Sequence, residues 1–193
     1  MMTSATPVFV TGNKRKIIEA KAVFKRMGLQ LDTAAIEIDE MQHHDPQKIT
    51  EAKARAAYEK LQKPVLVNDS SWRIPALNGF PGGYMKDVMQ WFSADDFLAL
   101  MRDKKDRSIT LIDVTAFYDG STYKIFTYVW EGEFVRQPKG EADNGLDCVI
   151  REKGKTITAA EEYNKLDTNP DTEIEKYEGM WTECAEWLKE RMK

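Results

Sequence analysis

Histidine and cysteine are scarce in this sequence of 193 residues, with two of each. His43 and His44 are adjacent, and neighbouring side chains converge poorly on one metal, which favours a solvated loop over a metal site. Cys148 and Cys184 match no metal-binding or redox spacing, which favours two reduced thiols. With so few histidines, the sequence offers no basis for a Ser-His-Asp or Cys-His catalytic arrangement.

Long apolar runs and an excess of one charge are also missing. No eighteen apolar residues run together and the first residues lack a signal-peptide pattern, so we expect a soluble, cytoplasmic protein without a membrane segment. The 28 basic and 32 acidic residues are spread along the chain, which argues against broad nucleic-acid binding. A small phosphorylated ligand remains compatible with this balance. No repeat or linker is visible, and we expect residues 1–193 to form one domain.

Strand-like and helix-like segments alternate along the chain, which predicts an α/β fold. The predicted strands are 7–10, 29–38, 64–67, 108–118 and 123–131, with 133–136 continuing the sheet. The predicted helices are 14–27, 46–63, 88–92, 94–101 and 180–191. Gly28 is expected to stop the first helix, and Asp45 is expected to cap the second.

The segment after the first predicted strand has the features of an anion site. The apolar run 8–10 breaks into Thr11-Gly12-Asn13, and Lys14-Arg15-Lys16 opens the helix. A glycine turn at the start of a helix directs backbone N–H groups and the positive end of the helix dipole at one spot. Such a spot suits a phosphate, although an ordinary strand-to-helix turn with a solvated basic first turn fits the segment equally well.

Four short segments, spread over most of the chain, form a recognisable pattern through their order and spacing. They are Thr11-Gly12-Asn13 with Lys16, Val65-Leu66-Val67-Asn68-Asp69-Ser70, Phe80-Pro81-Gly82-Gly83-Tyr84 and Arg136-Gln137-Pro138-Lys139-Gly140. Together they resemble the inosine triphosphate pyrophosphatase family, whose members hydrolyse deaminated purine nucleoside triphosphates to the monophosphate and pyrophosphate. The resemblance implies a long mixed β-sheet with flanking helices, two lobes around a central cleft, and a homodimer.

The resemblance also implies a magnesium-dependent site. Mg²⁺ is commonly held by one or two carboxylates together with substrate phosphates, and Asp69 is the best candidate ligand and water activator. Lys16 is the second candidate catalytic residue. The implied contacts to the nucleotide are Thr11, Gly12, Asn13, Lys16 and Ser70. Lys86 matches a basic position of some family members and is equally well explained as a surface lysine.

The sequence departs from the family pattern on the metal side of the site. The family places a metal-binding glutamate after the second strand, and either Gln42 or, with a gap, Glu40 aligns with it; we choose Glu40. The acidic residue that precedes the family aspartate is Asn68 here. An asparagine can ligate a metal through its carbonyl oxygen but cannot act as a general base.

The base pocket departs further from the family pattern. The family segment that carries two purine-stacking aromatics reads Asn144-Gly145-Leu146-Asp147-Cys148 here, and residues 161–179 contain neither histidine nor arginine. Asp147 is retained as an acceptor, Lys165 can replace the missing basic contact, and Trp72 offers a stacking surface. We therefore expect a nucleoside triphosphate pyrophosphatase whose substrate carries a non-standard purine, as ITP and XTP do, or an altered base. The alternative is a catalytically weak relative that binds a nucleotide or a partner protein.

Overall fold

The computed structural model describes residues 6–39, 41–165 and 170–191, with residues 165 and 170–180 described by their backbone alone. The strands are β1 (Val8–Val10), β2 (Asp32–Ala34), β3 (Val65–Ile74), β4 (Phe80–Gly82), β5 (Ser108–Tyr118), β6 (Tyr123–Phe134) and β7 (Ile150–Glu152). The helices are α1 (Lys14–Arg26), α2 (Pro46–Leu61), α3 (Met85–Trp91), α4 (Ala94–Leu100), α5 (Ala159–Lys165) and α6 (Pro170–Arg191), with a short 3-10 helix at Pro75–Leu77. This composition confirms the predicted α/β class.

The seven strands form one mixed sheet in the order β2-β1-β3-β5-β6-β7, with β4 paired to β3. β1 runs parallel to both of its neighbours, so that Val8 lies beside Asp32 of β2 and beside Val65 of β3. β4 and β7 are antiparallel to β3 and β6. The carboxyl ends of β1 and β2 therefore lie at one edge of the parallel part of the sheet.

The described residues divide into two compact units. The first unit comprises residues 6–39, 41–69, 113–128 and 170–191, and the second comprises 70–112 and 129–165. The divisions fall inside β3, β5 and β6, so each of these strands contributes residues to both units. A single folding domain over residues 1–193 stays a prediction.

The core of the first unit has two layers, one on each face of β3. Leu66 packs in a cluster with Phe9, Phe24 and Trp181, which joins the sheet to α1 and α6. Val65 and Val67 point to the other face, because side chains alternate along a strand, and pack with the alanines of α2. Trp181, Cys184, Ala185 and Leu188 give α6 a buried apolar stripe that belongs to this core.

The second unit has a separate core. Ile74 of β3, Met85 of α3, Phe97 of α4 and Phe134 of β6 are among its fully buried members. Ser93 begins α4 with a capping box, in which its hydroxyl accepts from the Asp96 N–H and the Asp96 carboxylate accepts from the Ser93 N–H. This capping box fixes the start of α4.

β3 is the main correction to the predicted elements. The polar run from Asn68 was expected to end the strand at residue 67, yet β3 continues to Ile74. Two contacts explain the extension: the buried Asn68 donates to Thr115 Oγ1 at 3.0 Å, and residues 72–74 pair with β4. The first gives the Asn68 Nδ2 group a partner within the sheet, and the second pairs the backbone of residues 72–74.

Other element boundaries were predicted with mixed success. Gly28, with φ of 76°, follows α1, and Asp45 caps α2 through the Gln47 N–H, as expected. β2 is shorter than the predicted 29–38, α6 begins ten residues before the predicted start, and β4, β7 and α5 were not predicted. No helix within the described parts of the chain is long and apolar enough to cross a membrane. Both cysteines are free thiols, as predicted.

Candidate nucleotide site

The turn between β1 and α1 is held by its own side chains. Thr11 donates its N–H to Ala34 O of β2, and its hydroxyl accepts from the Asn13 N–H at 3.1 Å. Asn13 caps α1, because its Oδ1 accepts from the N–H groups of Arg15 at 3.0 Å and Lys16 at 3.3 Å. The polar residues of the predicted phosphate turn thus fix the path of the chain into the helix.

This cap changes how the turn can bind an anion. Two of the N–H groups expected to face a phosphate are already used by Asn13, so these two donate to a ligand only if that side chain rotates. Gly12 instead presents open space, since a Cβ added there meets no atom of the described residues within 4 Å. Its backbone can therefore approach a ligand closely. The positive end of α1 and the half-buried Lys16 lie beside it.

Asp69 lies near this turn. β1 and β3 pair with a constant offset, Val8 beside Val65 and Phe9 beside Leu66. The same offset, continued past the end of β1, places Gly12 about level with Asp69. In open α/β sheets ligands bind beyond the carboxyl ends of parallel strands, which is where this turn lies. The first unit thus brings together four of the predicted residues from the turn and α1 (Thr11, Gly12, Asn13 and Lys16) with Asp69.

Lys53 is a candidate site residue that the sequence reasoning missed. Its Nζ lies 3.6 Å from Asp69 Oδ1, and the two side chains are 14% and 18% exposed. A signal was present in the sequence: Lys53 lies midway between Ile49 and Ala57, one helical turn from each, and both of these are buried. A lysine on the core-facing stripe of a helix indicates a buried anionic partner.

Asn68 does not join Asp69, because the two side chains point to opposite faces of β3. Asp69 meets Lys53 of α2, whereas Asn68 donates to Thr115 of β5. Asn68 Oδ1 is buried and has no hydrogen-bond partner among the described residues. The loss of an acidic side chain at this position therefore alters the α1 side of the sheet and not the side on which Asp69 lies.

The remaining predicted residues of the described chain belong to the second unit. Ser70 follows Asp69 in β3, and Lys86 is exposed on α3. Asp147 exchanges two hydrogen bonds with Asn144: its carboxylate accepts from Nδ2 at 3.0 Å, and its N–H donates to Oδ1 at 3.1 Å. One carboxylate oxygen of Asp147 is thus already committed to the loop.

Two predicted residues lie outside what the structure describes. Glu40 is not among the described residues, while Gln42, the other candidate for the metal side, is exposed. Lys165 is described only by its backbone, as the last residue of α5, so its side chain lies outside the description.

The described side chains suit a magnesium ion that shares its ligands with substrate. No group of three or more His, Cys, Asp or Glu within the described residues is arranged to hold a metal, so a complete protein cage is absent from that part of the chain. Mg²⁺ usually keeps several waters and binds one or two carboxylates plus phosphate oxygens. Asp69 supplies one such carboxylate. The 3.6 Å between its Oδ1 and Lys53 Nζ is longer than an ordinary hydrogen bond.

The chain is similar to known proteins over most of its length. A family model described as the Ham1 family matches residues 7–168. The chain is 32% identical to a dITP/XTP pyrophosphatase of Methanopyrus kandleri over 80% of its own length and 82% of that protein. It is 31% identical to an inosine triphosphate pyrophosphatase of Aspergillus fumigatus over 81% of its length and 83% of that protein.

Solved structures show the same fold. A HAM1 protein from Coxiella burnetii superposes with a TM-score of 0.78 at 23% identity, covering 96% of this chain and all of that one. The Staphylococcus aureus Ham1 protein gives 0.75 at 20% identity, with the same coverage. With a family match over most of its length and two curated relatives above 30% identity, this chain belongs to the Ham1 family.

Proposed function

We propose that this protein is a nucleoside triphosphate pyrophosphatase that converts a nucleoside triphosphate and water to the nucleoside monophosphate and pyrophosphate. The observation that carries the proposal is the open turn at Gly12 and the cation Lys16 on the same edge of the sheet as Asp69. The names of the curated relatives support the same reaction class. The chain is then an enzyme acting on an acid anhydride.

The side chains divide the work between holding the phosphates and handling the water. Thr11, Gly12, Asn13 and Lys16 hold the triphosphate, where the helix dipole and a cation offset its charge. The oxygen of water attacks the α-phosphorus, the bond from that phosphorus to the α–β bridging oxygen breaks, and pyrophosphate leaves with the electron pair. Asp69 accepts the proton of the water, and Lys53 keeps the carboxylate in place. Ser70 contacts the substrate.

Magnesium is the cation that these residues suit. We assign Asp69 and Glu40 as its protein ligands. When bound, the ion neutralises charge on the phosphate oxygens and lowers the barrier to attack. The protein's own contribution is positioning, since Asp69 lies in a strand fixed on both sides by pairing.

The base end of the site differs from its phosphate end. Asp147, Lys86 and Lys165 are the candidate contacts there, and the loop that carries Asp147 has no aromatic residue between Asn144 and Cys148. We propose that the substrate carries a purine of the ITP or XTP kind, or an altered base. A pocket that lacks the family's two stacking aromatics is expected to select among bases differently from those family members. The homodimer and the absence of a nucleic-acid partner also stay predictions, which light scattering and a DNA-binding assay test.

A panel of standard and deaminated nucleoside triphosphates with Mg²⁺ tests the proposal. We expect equal amounts of monophosphate and pyrophosphate from at least one substrate, loss of both products in Asp69→Asn, and retention in the control Asp32→Asn, which neutralises an exposed carboxylate of β2. If nucleotides raise the Tm but none is hydrolysed, the result would favour the alternative, a catalytically weak relative that only binds a nucleotide. A strong preference for ITP would contradict the altered base while leaving the reaction class intact.

A further inference from the structure

The loop of residues 140–147 lies directly against α5. Gly140, which ends the sequence segment 136–140, has a φ of 74°, and a Cβ added there would lie 2.7 Å from a backbone nitrogen of α5. At the other end of the loop, the backbone oxygen of Asp147 accepts from the Ala160 N–H at 2.9 Å. Both ends of the loop thus meet the same short helix, and loop and helix belong to the second unit.

The two halves of this loop are held in different ways. In the second half, Leu146 is fully buried in the core of the second unit. Gly145 lies so close to the start of α4 that a Cβ added there would collide with Ala94 N. In the first half, residues 140–143 are all exposed. Apolar packing therefore anchors the second half of the loop, and hydrogen bonds must hold the first half.

Asn164 of α5 makes two of those hydrogen bonds. Its Oδ1 accepts from the Glu141 N–H at 3.1 Å, and its Nδ2 donates to Glu141 O at 3.1 Å. Because hydrogen bonds are directional, two bonds to one residue fix the orientation of the backbone as well as its distance. The Cys148 thiol adds a weaker contact, to Gly140 O at 3.6 Å. Asn164 thus fastens the exposed half of the loop to α5.

The fastened half of the loop carries the residue that orients Asp147. Asn144 lies three residues after Glu141, and its side chain exchanges two hydrogen bonds with Asp147, one of them to the carboxylate. On the helix side, Lys165 follows Asn164 directly and ends α5. Asn164 therefore lies where the loop that carries one candidate base contact meets the helix that carries the other.

We propose that Asn164 is a positioning residue for the nucleotide base. It joins the loop of Asp147 to the helix of Lys165, and in this way it sets how strongly the protein distinguishes one purine from another. This inference rests on the proposed function, because it takes these two residues as the base contacts. A loop that adopts its binding arrangement for only part of the time lowers the affinity for its ligand by that fraction. Loss of Asn164 should therefore weaken binding of the base and leave binding of the phosphates unchanged.

Three probes separate the base from the phosphates in a binding experiment with Mg²⁺. Two are the α,β-methylene analogues of ITP and ATP, in which the bond that the proposed reaction breaks is replaced, and the third is inorganic tripolyphosphate, which has no base. We expect Asn164→Leu to bind the tighter of the two analogues about threefold or more weakly and to reduce the ratio between the two dissociation constants. Its dissociation constant for tripolyphosphate should equal that of wild type.

Lys155→Met is the matched control for these measurements. It removes the ion pairs of Lys155 with Glu162 of α5 and with Glu152 of β7, so it disturbs α5 without touching the loop. All three dissociation constants should stay as in wild type. For Asn164→Leu, equal weakening of all three probes would show a general loss of structure, and unchanged binding of both analogues would show no action on the base. Either result would overturn the proposal.

Hydrogen exchange of the ligand-free protein tests the contact itself. In Asn164→Leu the Glu141 amide should exchange about tenfold faster than in wild type, whereas the Ala160 amide, which donates to Asp147 O, should change little. An unchanged Glu141 amide, or equal acceleration at both amides, would overturn the proposal. Turnover plays no part in either experiment, so a wild type that binds the analogues but hydrolyses no nucleoside triphosphate contradicts the proposed function alone.

Discussion

Lys53 Nζ of α2 lies 3.6 Å from Asp69 Oδ1 of β3, and both side chains are largely buried. This pair joins a helix to the strand that carries the candidate catalytic carboxylate. In a partly buried setting a nearby cation offsets the cost of an ionised carboxylate. The pair therefore fixes the position of Asp69 between α2 and β3.

Removing the charge of Lys53 should weaken catalysis. Lys53→Met keeps the length and apolar stem of the side chain but leaves Asp69 without its nearby cation. We expect kcat/KM to fall about tenfold to a hundredfold, as for other groups that support a metal-bound carboxylate. Lys48→Met, at an exposed position of the same helix, is the matched control and should retain activity. Equal rates for the two variants would contradict the role of Lys53.

Gly12 should be needed for substrate and not for folding. An alanine Cβ there meets no atom of the described residues within 4 Å, and the position lacks a positive φ, so Gly12→Ala should unfold at nearly the same temperature. The added methyl group occupies the space through which a phosphate approaches the turn. We expect a raised KM with little change in Tm. A lowered Tm with an unchanged KM would show that Gly12 serves the fold instead.

Much of the fold could be predicted from the sequence, because the residues that begin and end the helices act through local contacts. Asn13, Asp45 and Ser93 are caps with nearby partners, and Gly28 ends α1 in the left-handed region that favours glycine. The length of β3 was not readable, because a polar run normally ends a strand. Asn68 stays in the strand through a contact with Thr115, 47 residues away.

The candidate site could be predicted only in part, because some of its contacts join residues that are distant in the sequence. Thr11 and Asn13 lie in the turn before α1 and Lys16 lies in the first turn of that helix, so their proximity is fixed by the chain. Lys53 meets Asp69 only after α2 packs on the sheet, and no sequence spacing records that contact. The opposite directions of Asn68 and Asp69 follow from strand alternation, but only once residue 68 is known to lie within a strand.

Glu19 should make stability depend on pH. Its folded pKa is raised above the ordinary 4.5, so the folded state holds the proton more tightly and unfolding becomes easier as pH rises above 4.5 toward the folded value. In metal-free buffer, the free energy of unfolding of Glu19→Gln relative to wild type should therefore increase with pH across that window. Urea titrations at several pH values measure this difference. Glu51→Gln, which removes the carboxylate of the more exposed Arg55 pair, is the control, and a Glu19→Gln difference that stays flat contradicts the expectation.

Asp147 should influence the choice of base. Its carboxylate accepts from Asn144 through one oxygen, and the second oxygen remains for a ring N–H or an amino group of the base. Asp147→Asn should change the ratio of kcat/KM between two bases about tenfold while affecting the phosphate contacts little. Asp143→Asn neutralises an exposed carboxylate of the same loop and should leave the ratio as it is. The same ratio in Asp147→Asn and wild type would remove Asp147 from the base pocket.

Product analysis in ¹⁸O-labelled water, comparing wild type with Asp69→Asn, tests whether the protein is a pyrophosphatase that uses Asp69. We expect wild type to release monophosphate and pyrophosphate in equal amounts, with the label in the monophosphate, because water attacks the α-phosphorus. Asp69→Asn, shown by circular dichroism to be folded, should lose turnover by about a hundredfold or more. Label in the pyrophosphate or release of inorganic phosphate alone would contradict this reaction, and full activity in Asp69→Asn would contradict the role of Asp69.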